Sequence, residues 1–222
     1  MKLLEPIENE LNSLKEDVND MWKLVISQLE KAKQSFLSND LDLAREIISR
    51  EKRIDVFELK IESDAENYIA LYNPKAVDLR LILSLIRISS TLERIGDFAE
   101  GIARHVIEDD GKKLSPQVIE ELKIAPMFDI LLTMLTSSFS ALESENTKIS
   151  GKILAMDDDV DTIYYNSVDI LTAHLQTNPD LIRYGLKLCL LIRKLERIGD
   201  HCSNIVEDIV FYIDAKVLKH GG

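Results

Sequence analysis

The chain has 222 residues, of which 45% are hydrophobic, and it contains only 8 Gly and 5 Pro. This composition excludes a disordered chain and favours helices over turn-rich β structure. Acidic residues outnumber basic ones by 39 to 27, a net charge of −12, which argues against direct binding to nucleic acid. Because no apolar run is long enough to span a membrane and no signal peptide is visible, we expect a cytoplasmic protein without membrane insertion.

The hydrophobic pattern predicts six long helices and no strands. They cover roughly residues 6–36, 41–72, 74–109, 116–144, 147–177 and 179 onward. Three pairs place a capping residue before a proline, which is a strong signal for a helix start. These pairs are Asn73-Pro74, Ser115-Pro116 and Asn178-Pro179.

The sequence repeats itself internally. Met21-Trp22 aligns with Met127-Phe128 at an offset of 106 (127−21), and Asp55 aligns with Asp161 at the same offset (161−55). The hexapeptide Leu-Glu-Arg-Ile-Gly-Asp occurs at 92–97 and again at 195–200, an offset of 103 (195−92). These observations predict an all-α protein made of two three-helix bundles related by internal duplication. Residues 1–110 would form the first bundle and residues 111–222 the second.

Each hexapeptide carries two acids four residues apart, which lie on one face of a helix. Glu93 and Asp97 form one pair, and Glu196 and Asp200 form the other. Both pairs lie opposite the Leu/Ile stripe of their helix, so they should be exposed or sit in a shallow groove between helices. The glycine inside each hexapeptide costs about 1 kcal/mol of helix propensity relative to alanine. We therefore expect a neighbouring helix or the ligands of a bound ion to approach the backbone there.

A second row of acids on the second helix comprises Glu51, Asp55, Glu58 and Glu62. Its counterpart on the fifth predicted helix is thinner, with Asp157 and Asp161 beside two further aspartates. If adjacent helices bring these rows to the hexapeptide acids, the like charges would need a cation to offset them. Oxygen ligands suit hard cations, and with imidazole they also suit iron, manganese or zinc. The candidate metal ligands are Glu93, Asp97, Glu196, Asp200, Asp55, Asp161, Asn204 and Glu207.

Other interpretations of the polar residues remain open. Taken alone, each acidic row is most simply a solvated face, but the verbatim repeat favours a shared role. We interpret His105 and His201 as polar surface histidines that face away from the acidic rows. A row of arginines lies beside the acids and either pairs within the protein or docks an acidic or phosphorylated partner. Its members are Arg80, Arg87 and Arg94, and the corresponding arginines of the second half are Arg183 and Arg197.

Several enzyme signatures are missing from the sequence. It contains no H-E-x-x-H, G-x-x-x-x-G-K or C-x-x-C motif, and no histidine has a glutamate three residues before it. Three hypotheses therefore stand: a metal-binding regulatory adaptor, a carboxylate-bridged di-metal enzyme and a metal-free structural helical module. The first is favoured, because the di-metal enzymes of helical bundles use inward-facing E-x-x-H motifs.

The chain resembles the PhoU family of phosphate-signalling regulators over essentially its whole length. The resemblance rests on the duplication, the Asn-Pro joints, the Val77-Asp78-Leu79-Arg80 segment, both hexapeptides and the Asn204-Ile205-Val206-Glu207 segment. The first copy departs from the family pattern, with Phe98 where a histidine is common and Gly101 at the position of Asn204. These departures imply that the first site binds metal differently from the second, or more weakly.

The resemblance implies a cytoplasmic regulator and not an enzyme. Such proteins restrain phosphate uptake and phosphate-starvation signalling by contacting the ATPase of the ABC phosphate transporter and its partner sensor histidine kinase. The E/D-x-x-x-D motifs of the family hold metal ions, which implies iron or zinc here, with manganese, magnesium and nickel as further candidates. A homo-oligomer, most simply a dimer, is also expected.

Overall fold

The structure is a computed structural model that describes residues 4–108 and 114–217. These ranges form seven α-helices and two short 3-10 turns, with no strand, so the all-α prediction is confirmed. The helices are α1 Leu4–Ser38, α2 Leu41–Tyr72, α3 Val77–Ile107, α4 Pro116–Glu121, α5 Ile124–Glu143, α6 Ser150–Thr177 and α7 Ile182–Asp214. No described helix combines the length and the apolar character that crossing a membrane requires.

The helix starts agree only partly with the capping signals. Ser115 does cap α4, because its hydroxyl accepts a hydrogen bond from the Val118 N–H at 3.4 Å. Asn73 instead ends α2 in the left-handed conformation (φ 47°, ψ 55°), which asparagine tolerates well. The start of α3 is consequently Val77 and not Pro74, so that part of the prediction is wrong.

The predicted helix over residues 116–144 is two helices. The chain leaves the helical conformation at Lys123, whose φ is 51°, and α5 begins at the next residue. Leu122 and Ile124 on either side are both buried. In one continuous helix, residues two apart point in divergent directions. The break at Lys123 allows both side chains to reach the core.

The helices pack as two bundles that meet along α3 and α7. Helices α1, α2 and α3 contact one another, as do α5, α6 and α7. Ser84 donates a hydrogen bond to the Asp208 carbonyl at 3.0 Å, and Lys187 donates to the Glu108 carbonyl at 3.1 Å. Because the residue number rises along α3 while its partner's number falls along α7, this contact, which we call the seam, is antiparallel.

A second connection runs between α1 and α5. The indole N–H of the buried Trp22 donates to the Leu135 carbonyl at 3.2 Å. This bond satisfies a polar group that would otherwise be costly to bury. The predicted boundary between residues 110 and 111 lies outside the described residues.

Candidate metal centres

Carboxylates from α2 and α3 converge in the first bundle. Glu51, Asp55 and Glu93 each offer one ligand atom, and the three atoms lie within 4.8 Å of one another. Among residues 4–108 and 114–217 they are the one group of three potential ligands with this spacing. The Glu51 Oε1 atom is buried and accepts no hydrogen bond. With Asp97, whose charge acts on both glutamates, these residues form what we call the first carboxylate cluster.

Burial and like charges raise the pKa of both glutamates in the first carboxylate cluster. Burial, followed by the neighbouring Asp55 and Asp97, raises the pKa of Glu51 to about 7. Burial, followed by Asp97, raises the pKa of Glu93 to about 7 as well. Near neutral pH both glutamates are therefore partly protonated, which reduces the repulsion among the carboxylates.

The glycine of the first hexapeptide lets α3 approach α2. A Cβ atom added to Gly96 would lie 2.7 Å from the Cδ1 atom of the buried Ile54. Ile54 directly precedes Asp55, so the close approach also brings the two acidic rows together. Of the two explanations considered for the glycine, the structure supports a neighbouring helix.

The corresponding residues of the second bundle line an open groove between α6 and α7. The groove has a volume of about 750 Å³, and its polar lining is Asp157, Asp158, Asp161, Asp200 and Asn204. Burial, followed by Asp200, raises the pKa of both Asp161 and Glu196. We call Asp157, Asp161, Glu196 and Asp200 the second carboxylate cluster.

Asp157 is anchored in this groove by the helix opposite. Its Oδ2 atom accepts a hydrogen bond from the Ser203 hydroxyl at 2.6 Å. A Cβ atom at Gly199 would clash with the Asp157 carboxylate and would lie 3.3 Å from a Val160 methyl group. The second glycine thus has the same role as Gly96, because it makes room for the acidic helix beside it.

The predicted site residues divide between the two clusters. In the first cluster the structure brings together Asp55, Glu93 and Asp97. In the second cluster it brings together Asp161, Glu196 and Asp200, and Asn204 lies beside them. Glu207 lies on the following turn of α7, is half-buried and does not line the groove.

Two members of the clusters were absent from the predicted ligands. These are Glu51 and Asp157, which occupy equivalent positions in the repeat (157−51 = 106). This is the same offset that relates Asp55 to Asp161. The repeat therefore already contained the signal that would have selected them.

His201 is not a surface residue, contrary to the prediction. Its ring stacks on Phe98 with centroids 5.7 Å apart and an interplanar angle of 25°. Its Nε2 atom is buried and has no hydrogen-bond partner among the described residues. Burial, followed by the charges of Arg94 and Arg197, lowers the pKa of His201, so the neutral ring is favoured. His201 belongs to the seam and not to a carboxylate cluster.

His105 is also half-buried, so the surface assignment was wrong for it as well. Its ring lies between those of Phe36 and Tyr184, at centroid distances of 6.2 and 6.5 Å. This position is near the C-terminal end of α3, about two turns beyond Asp97.

Two arginines of the row bond to other residues of the protein, and a third is exposed, as is its counterpart in the second repeat. Arg80 donates to the Tyr212 carbonyl at 3.3 Å, and Arg87 pairs with Asp208 at 3.2 Å, so intramolecular pairing explains these two. Arg94 is exposed, as is Arg197, whose guanidinium lies 5.1 Å from the centroid of the Phe98 ring. These two arginines leave positive charge at the surface of the seam, between the carboxylate clusters.

The donor atoms of the first carboxylate cluster fit a metal ion. Metal–oxygen bonds of about 2.1 Å place opposite ligands about 4.2 Å apart, and the three ligand atoms all lie within 4.8 Å of one another. All the donors of the first carboxylate cluster are carboxylates. In the second cluster the amide of Asn204 is a further possible donor. Such oxygen-rich sets suit hard cations such as magnesium and manganese, and carboxylates also bind zinc.

Comparison with known proteins agrees with the fold and the duplication. The family profile described as "PhoU domain" matches the chain twice, over residues 18–106 and 124–209. The two matches correspond to the two bundles and together cover most of the chain.

Individual relatives span nearly the whole chain. A phosphate-specific transport system accessory protein PhoU homolog from Aquifex aeolicus is 34% identical over 95% of this chain and 94% of its own length. PhoU homolog 1 from Thermotoga maritima is 31% identical over 96% of this chain and 90% of its own length. The crystal structure of the phosphate transport system regulatory protein PhoU from Streptococcus pneumoniae superposes with a TM-score of 0.86 at 28% identity, covering 96% of this chain and 99% of that one. The chain belongs to the PhoU family.

Proposed function

We propose that the chain is a cytoplasmic, metal-binding regulatory adaptor that restrains phosphate uptake and phosphate-starvation signalling. Family membership supports the regulatory part, since the relatives are named accessory and regulatory proteins of phosphate transport. One observation carries the metal-binding part: Glu51, Asp55 and Glu93 converge within 4.8 Å, and the pKa values of both glutamates are about 7. If these acids served only to keep the protein soluble, bringing three carboxylates together and partly burying them would cost free energy without a benefit.

Each carboxylate cluster would hold its own metal. Glu51, Asp55, Glu93 and Asp97 would be the ligands in the first bundle. Asp157, Asp161, Glu196 and Asp200 would be the ligands in the second, with Asn204 as a further oxygen donor. Iron and zinc are the metals we favour, and manganese, magnesium and nickel are the alternatives.

The bound metals would turn an acidic surface into a docking surface. A cation reverses the local charge, and ions in an open groove keep coordination positions that a partner's acids can fill. Arg94 and Arg197 lie exposed between the clusters and would add positive charge to the same face. The partners we propose are the ATPase of the ABC phosphate transporter and the sensor histidine kinase, with the protein itself acting as a dimer.

The experiment is to measure partner affinity with and without a chelator. The transporter ATPase is titrated with the wild-type protein and with Glu93→Ala/Asp97→Ala, Glu196→Ala/Asp200→Ala and the combined variant. Chelation should weaken binding of the wild type, and the combined variant should bind more weakly than either pair alone. Equal affinity in every case would show that the clusters are not the interface. A matched control is Glu8→Ala/Glu16→Ala, which removes two acids from α1 instead.

A further inference from the structure

Two cavities that share His105 lie at the end of the seam, near the C-terminal end of α3. One has a volume of about 270 Å³ and is mainly apolar; its lining includes Phe36, His105, Leu114, Pro116, Ile119 and Tyr184. The other has a volume of about 250 Å³ and carries three cationic side chains on a largely apolar wall; its lining includes Gly101, Arg104, His105, Lys187, Leu190 and Lys194. His105 stands between an apolar and a cationic surface.

Three aromatic rings line the first cavity or lie beside it. The rings of Phe36, His105 and Tyr184 follow one another at centroid distances of 6.2 and 6.5 Å. Ile119 from α4 is only partly buried and lines the same cavity. Aromatic faces and a partly exposed aliphatic side chain together favour an inserted aromatic ligand, since stacking adds to the burial of apolar area.

The second cavity gathers positive charge that the acids of the described residues neutralise only in part. The net charge of the chain is −12, yet across the described ranges no carboxylate forms an ion pair with Lys187 or Lys194. Lys187 donates only to the Glu108 carbonyl, at 3.1 Å. Arg104 pairs with Glu100 and remains more than half exposed. One acid, Glu108, also lines the cavity, so among the described residues the lining holds three cations and one carboxylate.

Gly101 opens the space that the Lys194 ammonium occupies. A Cβ atom at position 101 would lie 2.7 Å from the Lys194 Nζ atom. The equivalent position of the second repeat is Asn204 (204−101 = 103), which lines the second groove instead. The first repeat therefore lacks the polar side chain that lies beside the second carboxylate cluster. The Lys194 ammonium group occupies the space over α3 instead.

We propose that the two cavities together bind a nucleotide, with the base in the apolar cavity and the phosphate in the basic one. Lysine and arginine side chains bind phosphate oxygens through charge-assisted hydrogen bonds. Inorganic phosphate alone would leave the aromatic cavity unfilled, and a purely apolar ligand would leave Lys187 and Lys194 without an anionic partner among the described residues. The residues involved are separate from both carboxylate clusters, so this site does not depend on the metals proposed above.

The test is calorimetric titration of the protein as purified. The probes are the four common ribonucleoside monophosphates, the corresponding nucleosides and inorganic phosphate. At least one nucleotide should bind one site per chain with a dissociation constant below about 1 mM, and about tenfold more tightly than its nucleoside or phosphate. Lys187→Gln/Lys194→Gln should weaken that nucleotide about tenfold, while the control Lys23→Gln/Lys75→Gln, which removes two exposed lysines elsewhere, should leave it unchanged.

Two further variants separate the outcomes. Ile119→Trp should fill the apolar cavity and weaken the nucleotide, with circular dichroism confirming that the variant is folded. Glu196→Gln/Asp200→Asn should leave nucleotide binding unchanged, because it alters the second carboxylate cluster alone. The proposal is overturned if no nucleotide binds at about 1 mM, if each binds no better than phosphate, or if the carboxylate variant loses binding while the lysine variant keeps it.

Discussion

Phe98 and His201 stack on each other at the seam, with ring centroids 5.7 Å apart. They occupy equivalent positions in the two repeats (201−98 = 103), the same offset that relates the hexapeptides. The arginines at the preceding turn are equivalent too (197−94 = 103). Arg197 lies over Phe98, and the charge of Arg94 acts on His201. The two repeats thus meet through matching residues about an approximate two-fold axis.

This stacking should contribute measurably to stability. In a double-mutant cycle of Phe98→Ala and His201→Ala, we expect a coupling energy of about 0.5–1.5 kcal/mol, the range for aromatic pairs. The measurement is urea unfolding followed by circular dichroism at a pH where His201 is neutral. Strict additivity, within about 0.3 kcal/mol, would show that the two rings do not interact.

The glycines of the hexapeptides should resist replacement. Gly96→Ala would press a methyl group onto Ile54, and Gly199→Ala would press one onto Asp157 and Val160. Each should lower the free energy of unfolding by about 1–3 kcal/mol, in spite of the better helix propensity of alanine.

Gly151 provides the matched control for these replacements. It is also a helical glycine, but nothing lies within 4 Å of the position of its added Cβ atom. Gly151→Ala should therefore raise stability by up to about 1 kcal/mol. If all three replacements stabilise the protein alike, close helix approach is not the reason for the hexapeptide glycines.

Proton binding should compete with metal binding at the first carboxylate cluster. In the folded protein the pKa of Glu51 and of Glu93 is about 7, against an ordinary value of 4.5. The folded state therefore holds protons that the unfolded state has lost, and stability from this source is fully present below pH 4.5 and lost as the pH rises through 7.

Two measurements check this pH dependence. Metal-free wild type should lose more stability between about pH 5 and about pH 8 than Glu51→Gln/Glu93→Gln does, as followed by urea unfolding. Metal affinity of the wild type should rise over the same interval, because the ligands must release protons. An identical pH profile for both proteins would mean that these two glutamates are not strained in the folded state.

The sequence predicts the clusters better than it predicts how the repeats meet. The hexapeptides identified Glu93 and Glu196 because an exact repeat on a polar face is unusual. The repeat relates Glu51 to Asp157 and so marks it as a candidate, but its distance from Glu93 depends on the register between α2 and α3, which a pattern on one helix does not contain. His201 was misjudged for the same reason, since its neighbour Phe98 comes from the other repeat.

The capping signals show a related ambiguity. Asparagine is favoured both before a helix and in the left-handed position after one. At residue 73 the second conformation is the one adopted, whereas Ser115 caps the next helix as predicted. The proline that follows each residue does not distinguish the two cases.

The most direct test of the metal-centre hypothesis is elemental analysis of protein purified without a chelator. Wild type should contain at least one iron, zinc or similar metal ion per chain in stoichiometric amount. Glu51→Gln/Glu93→Gln and Glu196→Gln/Asp200→Asn should each lose part of that metal, and the combined variant should lose it all while remaining folded by circular dichroism. Metal content that is negligible in the wild type, or that is unchanged in the combined variant, would contradict the assignment of these carboxylates as metal ligands.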